Sequence, residues 1–363
     1  KMSEGRIDRK YLIRPFSYIN DSLGTNLLKF LVLLLIQIVL LFISKSYLAL
    51  KVVCAATLAS VLAEILCSLF LKQSLFENKK FLVSIVQGIL CGMLIPQTFP
   101  MVTVFIIVFF SMLITRHFFG GFAFTWINAS VISVVILWII GVEYFPEYLI
   151  NMDLLAVRNP SQLLIENGSI KVFPFDSNVT EFCNQVIFSH LKVSVPEGYV
   201  SLFWDSFSSI PAFRFNFITL ISSIILFSDN LWDLLIPAIF MIVYVLLIRY
   251  ISPFLYNGVT FKGDILLALL TGGTLFCAVF LISWYGTVPM TVTGKIVYGV
   301  IAGIVMFLLA GCGTSPGGMI FTVVIANIVS VIIQQYENHY DRIRIKKQLE
   351  SFMNDDAKND QEI

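Results

Sequence analysis

Charge is what this sequence has least of. Asp, Glu, Lys and Arg make up 13% of its 363 residues, while 58% are hydrophobic. Soluble domains carry roughly 25% charged residues. A chain this long could bury one or two cores, but its surface would lack the charge that keeps them dissolved. An ordinary cytosolic enzyme is therefore excluded, and so is a disordered chain. The net charge of +1 offers no basic field for nucleic acid. Cysteine is sparse and unpatterned. The six, at 54, 67, 91, 183, 277 and 312, form no CxxC and no Cys/His spacing, so zinc, iron–sulfur and disulfide-scaffold readings have no support. Five stand in apolar runs, where a cysteine is expected to be a small buried hydrophobe. His117, His190 and His339 are scattered and suggest neither a metal site nor a triad. No P-loop or dinucleotide-binding glycine pattern occurs, and no serine has a nucleophile-elbow context.

What is present is a series of ten apolar runs, near residues 27–44, 48–71, 81–95, 101–115, 129–142, 211–227, 234–251, 265–283, 295–312 and 319–336. Each is close to the length that crosses a hydrocarbon core of about 30 Å. Several are short, which fits broken or tilted helices completed by irregular backbone. The expected fold is an all-α polytopic membrane protein with about ten transmembrane helices. Basic residues cluster on one side of such a path: Arg6, Arg9, Lys10 and Arg14, then Lys72, Lys79 and Lys80, then Arg116, then Arg342, Arg344, Lys346 and Lys347. The positive-inside rule places both termini in the cytoplasm, with the chain in the inner membrane. The polar, basic start argues against a cleavable signal peptide.

The expected organisation is a cytoplasmic arm over 1–26, a first five-helix unit over 27–142, an external loop over 143–210, a second five-helix unit over 211–336 and a cytoplasmic tail over 337–363. The loop is too long for a bare turn and is expected to form an ordered cap. The tail from Glu337 is expected to be a short solvated helix that frays.

The two units look related. Gly120-Gly121-Phe122-Ala123-Phe124-Thr125 stands 197 residues before Gly317-Gly318-Met319-Ile320-Phe321-Thr322, and eight of seventeen positions match over 120–136 and 317–333. Because each unit holds an odd number of helices, the second must be inverted relative to the first, the plan of many transport proteins. Glycine pairs allow close backbone approach and positive φ. A non-helical glycine pair before a helix can also point backbone N–H groups inward. Asn128 and Asn327, in the same blocks, can donate and accept. A third cluster, Thr271-Gly272-Gly273-Thr274, puts two hydroxyls and two bare backbone positions in one turn. Against this stands packing through small residues, which needs no ligand. Gly120, Gly121, Thr125, Asn128, Thr271, Gly272, Gly273, Thr274, Gly317, Gly318, Thr322 and Asn327 are the candidate cofactor-binding set. Ionisable residues at membrane depth are functional candidates by default. Glu64 is the deepest acid and the first candidate for ion handling, or the partner of Lys51 or Arg214. Asp264 is a second candidate, near a helix end.

These residues resemble the RnfD/NqrB family, the membrane subunits of the Rnf and Na⁺-pumping NADH:quinone oxidoreductase complexes. Thr271-Gly272-Gly273-Thr274, followed by Ala278, Phe280 and Ser283, is similar to the family's S-G-A-T/G-G helix ending in T-D-P. Thr293-Gly294-Lys295 and Tyr298-Gly299 follow at the family's spacing. Ser315-Pro316-Gly317-Gly318 stands where the family has Y-P-E/D-G, and Ala326-Asn327 where it has A-N. Residues 116–133 look like its G-G-x-G-x-N-x-x-N-P-A segment, with Gly120, Gly121 and Asn128 retained.

The resemblance implies a flavin, either FMN esterified to the threonine of an external S-x-A-T or riboflavin held without a covalent bond. The loop here has only Thr180, in Asn178-Val179-Thr180-Glu181, and T-D-P has become Ser283-Trp284-Tyr285. Ala123 and Ala129 replace a glycine and a proline. The expectation is a non-covalent flavin, riboflavin or FMN, between the helices of a protein serving transport coupled to electron transfer. Its partners would be the lipid bilayer and other membrane subunits of a redox complex. A riboflavin or vitamin permease without a redox role is the alternative, and a passive channel the third class. Trp284 and Tyr285 suit stacking on a ring or, the expected role, anchoring at the interface.

Overall fold

The structure, a computed structural model, describes residues 23–72, 79–118, 126–147, 152–157, 160–186, 188–191, 194–228, 231–258 and 263–359. The expected N-terminal arm up to residue 22 lies outside them, as do Gly120, Gly121 and Thr125 of the first glycine block. Among the described residues every regular element is helical. The first five apolar runs form α1 (Leu23–Ile43), α2 (Tyr47–Leu71), α3 (Lys80–Leu94), α4 (Met101–Met112) and α5 (Ala129–Ile140), with a π-helical turn, Leu113–Phe118, extending α4. The loop holds α6 (Pro160–Glu166), α7 (Asp176–Val186) and α8 (Tyr199–Trp204). Then come α9 (Asn216–Phe227), α10 (Leu231–Tyr250) and the short α11 (Ser252–Leu255). The eighth apolar run divides into α12 (Ile265–Thr271), α13 (Thr274–Phe276) and a π-helical segment, Cys277–Leu281; α14 (Val292–Ala310) and α15 (Gly318–Asn359) follow.

Helix is forced here because hydrocarbon offers no partner to a bare N–H or C=O. α1, α2, α10, α14 and α15 are long and apolar enough to cross a membrane. The 21 residues of α1 reach about 31 Å at 1.5 Å per residue. α3, α4, α5 and α9 are shorter apolar helices. α5 and α9, at 12 residues each, reach only about 18 Å, so neighbouring protein must cover the irregular backbone at their ends.

The break in the eighth run shows how that is done. Gly273 takes φ +67°, a left-handed turn that a side chain would strain. Carbonyls at the break are answered locally, and Thr271 folds its hydroxyl back onto a carbonyl of its own helix. Asn216 Nδ2 donates to Leu270 O at 2.8 Å, Thr274 Oγ1 to Ala268 O at 3.2 Å, and Thr271 Oγ1 to Leu267 O at 2.6 Å.

Two GxxxG pairs set close helix contacts, the small-residue geometry that lets backbones touch. On α3, a Cβ at Gly88 would stand 2.7 Å from Thr57 Cα, and one at Gly92 2.6 Å from Val53 Cα, both on α2. On α14, a Cβ at Gly303 would stand 2.9 Å from Phe240 O on α10, and Gly299 faces Ile239 and Ile236 O. α3 is buried from Val83 to Leu94 except Ile85 and lies among α1, α2 and α5, while α14 lies between α10 and α15. The two helix groups meet where Trp138 of α5 stands 5.9 Å from Phe321 of α15.

α15 departs from expectation. It runs unbroken for 42 residues instead of ending and restarting as a short tail helix. Residues 337–359 contain neither Gly nor Pro and are rich in good helix formers, so nothing stops the helix after its apolar part. Glu337 ties it to the turn before α14, accepting from Met290 N at 3.1 Å and from the Thr291 hydroxyl at 2.5 Å.

The segment between α5 and α9 is ordered around one carboxylate. Asp176, fully buried at the start of α7, accepts from Gly198 N (2.8 Å), Ser201 N (2.6 Å), Ser201 Oγ (2.5 Å) and Thr180 Oγ1 (3.0 Å). Burial works to raise its pKa, and the hydrogen bonds from Ser201, Gly198 and Thr180 outweigh it, holding the carboxyl below its ordinary value. A second buried pair, Arg214 Nε to Asp205 Oδ1 at 2.9 Å, joins the loop to the start of α9, and Arg214 Nη1 reaches Ser46 Oγ before α2 at 2.5 Å.

Two outcomes follow from this packing. Gly92→Val must separate α2 from α3, where an added Cβ already stands 2.6 Å from Val53 Cα; overpacking of this kind costs about 1–3 kcal/mol, and a lowered apparent Tm in detergent is expected. The Asp176 network stabilises the loop above the carboxyl's unfolded pKa of about 3.9 and is lost as pH falls through the lower folded value. Pepsin cleavage within 143–210, taken at each pH relative to Asp176→Asn so that the protease's own pH dependence cancels, should therefore rise toward the variant's as pH falls below about 3.9.

Candidate functional site

The turn Thr271-Gly272-Gly273-Thr274 is closed by protein. A Cβ at Gly273 would collide with the Phe213 ring and meet Met319 Sδ at 3.2 Å, and one at Gly272 would meet Gly313 Cα at 3.0 Å. Both threonine hydroxyls are committed to backbone carbonyls of the break. The structure thus brings this turn against the start of the second glycine block. In that block an added Cβ at Gly317 would stand 3.0 Å from the Trp138 ring, and one at Gly318 would collide with Ala310 Cα. Thr322 Oγ1 donates back to Gly318 O at 2.7 Å. The glycines and threonines of both clusters serve helix packing and backbone satisfaction.

The asparagines differ. Asn327 is fully buried in α15, and neither amide atom has a hydrogen-bond partner. Asn128 caps α5 by accepting from Ser130 N at 3.1 Å, and its Nδ2 has no partner. Ser130 Oγ donates to Gln87 O at 2.8 Å, and Gln87 Oε1 is also without a partner. Unsatisfied buried polar atoms cost about 1–3 kcal/mol each, and each calls for an explanation.

A cavity of 170 Å³ opens where α1, α9, α10, the end of the eighth run and α14 converge. Its apolar walls include Phe30, Phe227 and Val279, and its polar groups include Asn26, Asp233, Ser283, Tyr285 and Lys295. The Ser283 hydroxyl is buried without a hydrogen-bond partner. Trp284 is 1% exposed and packs edge-on against Phe30 at 6.0 Å, so it is a core ring behind this cavity and not the interfacial anchor expected; α1 and the neighbouring helices wrap it inside the bundle. The donor set suits the edge of a flat heteroaromatic ring, while the volume is below the 300 Å³ or so of a pocket that swallows a whole ligand. The cavity fits part of a flavin.

Glu64 finds neither Lys51 nor Arg214. It pairs with Arg116, Nη2 to Oε2 at 3.1 Å, both side chains almost fully buried. The π-helical turn after α4 carries Arg116 to α2, its guanidinium also reaching Ser84 Oγ and, at 3.1 Å, Lys80 O. Ser84 Oγ lies 3.3 Å from Glu64 Oε2, and Ser60 Oγ donates to Ser84 O at 2.8 Å. The Glu64 carboxylate is thus committed to a buried cation and to the hydroxyls around it. Arg214, the other expected partner, is committed to Asp205 across nine residues of the same segment. Asp264 lies elsewhere: it caps α12, accepting from Leu267 N at 3.0 Å, and binds Ser161 N of α6 at 3.0 Å. It fastens the loop to the eighth run. Among the described residues no group of His, Cys, Asp and Glu could hold a metal. Cys91, Cys277 and Cys312 are buried as expected, but Cys54 is exposed on α2.

Sequence reasoning missed Arg116 as a partner, since it reads as one more inner basic residue and stands far from Glu64 along the chain. It also missed the two GxxxG pairs, which were legible as Gly88-Ile89-Leu90-Cys91-Gly92 and Gly299-Val300-Ile301-Ala302-Gly303.

Residues 12–341 match the sequence model of the NQR2, RnfD, RnfE family. The chain belongs to this family. Among family proteins, the RnfD subunit of the ion-translocating oxidoreductase complex of Escherichia coli O7:K1 is 23% identical over 314 residues, covering 77% of this chain and 83% of that one. The protein of the same description from Mannheimia succiniciproducens is 38% identical over 68 residues, 19% of each chain, and that from Citrobacter koseri 35% over 83 residues, 22% of this chain and 24% of its own.

The buried ion pair gives a direct test. Glu64→Gln strands the Arg116 guanidinium in the bundle and is expected to cost about 3–5 kcal/mol. The double variant Glu64→Leu/Arg116→Leu should cost far less, because both charges leave together. Thermal unfolding in detergent reads the difference, and an equal loss in both variants would show that the pair is not the stabilising unit.

Proposed function

We propose that this chain is an RnfD-type membrane subunit of an ion-translocating oxidoreductase, in the inner membrane with both termini cytoplasmic, and that it holds riboflavin or FMN without a covalent bond. Family membership over most of its length supports the subunit role, and its relatives are described as the RnfD subunits of such a complex. Two units of five helices in inverted relation suit the matched glycine blocks. The observation that carries the non-covalent form is Thr180. It is the loop's one threonine, it is 3% exposed, and its hydroxyl donates to Asp176. A phosphoester there would dismantle the network that orders the loop.

The cavity beside Ser283 and Tyr285 is the preferred flavin contact, with Asn26, Ser283 and Lys295 meeting the polar edge and Phe30 and Phe227 the ring faces. Asn327, neither of whose amide atoms has a partner, and Asn128, whose Nδ2 has none, are the members of the candidate set that keep a binding role in this reading. A flavin held there would supply one- and two-electron transfer. A riboflavin or vitamin permease is the second reading. It is favoured by the sealing of Glu64 with Arg116 and by Ser283-Trp284-Tyr285 in place of an acid-bearing T-D-P.

The visible spectrum of the purified protein before and after acid precipitation tests both. Flavin absorbance is expected, and it should pass to the supernatant. Colour retained in the pellet would refute the non-covalent claim, and a colourless protein would remove both flavin readings. Riboflavin uptake into proteoliposomes without a redox partner would select the permease.

A further inference from the structure

α2 and α4 leave a groove of 460 Å³ between them on the outer surface of the bundle. Its walls are apolar, with Cys54, Ala55 and Leu58 from α2 and Val102 and Phe105 from α4. Small side chains make the depression: Cys54 and Ala55 stand where bulkier residues of α2 would fill it. The volume lies within the roughly 300–1,000 Å³ typical of ligand sites, against 170 Å³ for the inner cavity.

The occupant is indicated by what stands at the end of the groove near the α1–α2 turn. Lys51, in the second turn of α2, is exposed and lines the groove with Tyr47. Among the described residues Lys51 has no ion pair and no hydrogen bond. By contrast, Glu64 has Arg116, Arg214 has Asp205, and Asp264 has Ser161 and the α12 N-terminus. A cation at the edge of hydrocarbon can snorkel to water, but snorkelling leaves the trough beside it unexplained. A partner helix would have to bring both an acid to Lys51 and a side chain into the trough.

We propose that α2 and α4 form a specific site for one anionic phospholipid of the leaflet nearest the α1–α2 turn. The phosphate meets the Lys51 ammonium, with the Tyr47 hydroxyl as a neutral donor beside it, and one acyl chain lies in the trough over Cys54 and Ala55. The contact is a charge-assisted hydrogen bond in a partly desolvated place, where it is strongest. The site depends on the membrane setting of α2 and α4 and is independent of flavin binding.

Delipidated full-length protein titrated with dioleoyl phosphatidylglycerol or dioleoyl phosphatidylcholine, read by native mass spectrometry, tests the proposal. The wild type should prefer phosphatidylglycerol by about tenfold, the scale of one good polar contact. Lys51→Gln should abolish the preference while keeping weak binding of both lipids. Cys54→Phe should fill the trough and weaken both. Both side chains are exposed, so neither change disturbs the core. On the unaltered protein, phosphatidylglycerol should slow maleimide labelling of Cys54, followed by peptide mapping. Equal lipid preference in wild type and Lys51→Gln would overturn the proposal. So would unchanged Cys54 labelling on adding lipid, or photo-crosslinking from residue 54 in native membranes to a polypeptide instead of a lipid.

Discussion

Inside a bilayer no water is available to a peptide group, and that one condition shapes almost every feature of this chain. It makes the regular structure helical, because only a helix satisfies its backbone within a single segment. It also sets the terms on which irregular backbone is admitted. At Gly272 and Gly273 the eighth run breaks, and Asn216 and Thr274 each supply a donor to a carbonyl at its end. With oil outside as well as inside, helices gain little from hiding apolar surface and associate by close contact instead. The Gly88/Gly92 and Gly299/Gly303 pairs provide that contact.

The same condition governs charge. Glu64, Asp205 and Asp264 each sit in a network that answers their lone pairs. Among the described residues, buried polar atoms left without a hydrogen bond include neutral ones: Asn128 Nδ2, both Asn327 amide atoms, the Gln87 carbonyl oxygen and the Ser283 hydroxyl. With Glu64, Asp205 and Asp264 committed and these amide and hydroxyl atoms not, the buried polar groups suit a hydrogen-bonding ligand better than ions carried on fixed acids. The flavin and permease readings share that ligand chemistry and part only over electron transfer.

The segment between α5 and α9 is held to the helices by committed groups as well. Asp176 gathers four donors, Arg214 joins the loop to the start of α2 through Ser46, and Asp264 fastens α6 to α12. The loop is thereby part of the folded body, and Thr180 supplies one of its structural hydrogen bonds.

Membership of the membrane class and the positions of most apolar helices were readable in the sequence, as were the glycines at which the backbone is free to bend. Each depends on local properties: apolar length, glycine placement and the clustering of basic residues. The partner of Glu64 was not readable, because Arg116 meets it only after a π-helical turn shifts the register of the chain by a fraction of a turn, and nothing in spacing encodes that shift. The roles of Thr271, Gly272, Gly273, Thr274, Gly317 and Gly318 were equally hidden. A glycine that admits a ligand and one that admits a neighbouring helix look alike as letters, and only the atoms opposite them, Phe213, Trp138 and Ala310, tell which it is. The sequence by itself determined where this chain can be helical and where it must bend. Tertiary structure alone decided which polar groups are used up in holding those bends and which remain for a ligand, because satisfaction of a buried group is a property of what surrounds it in space.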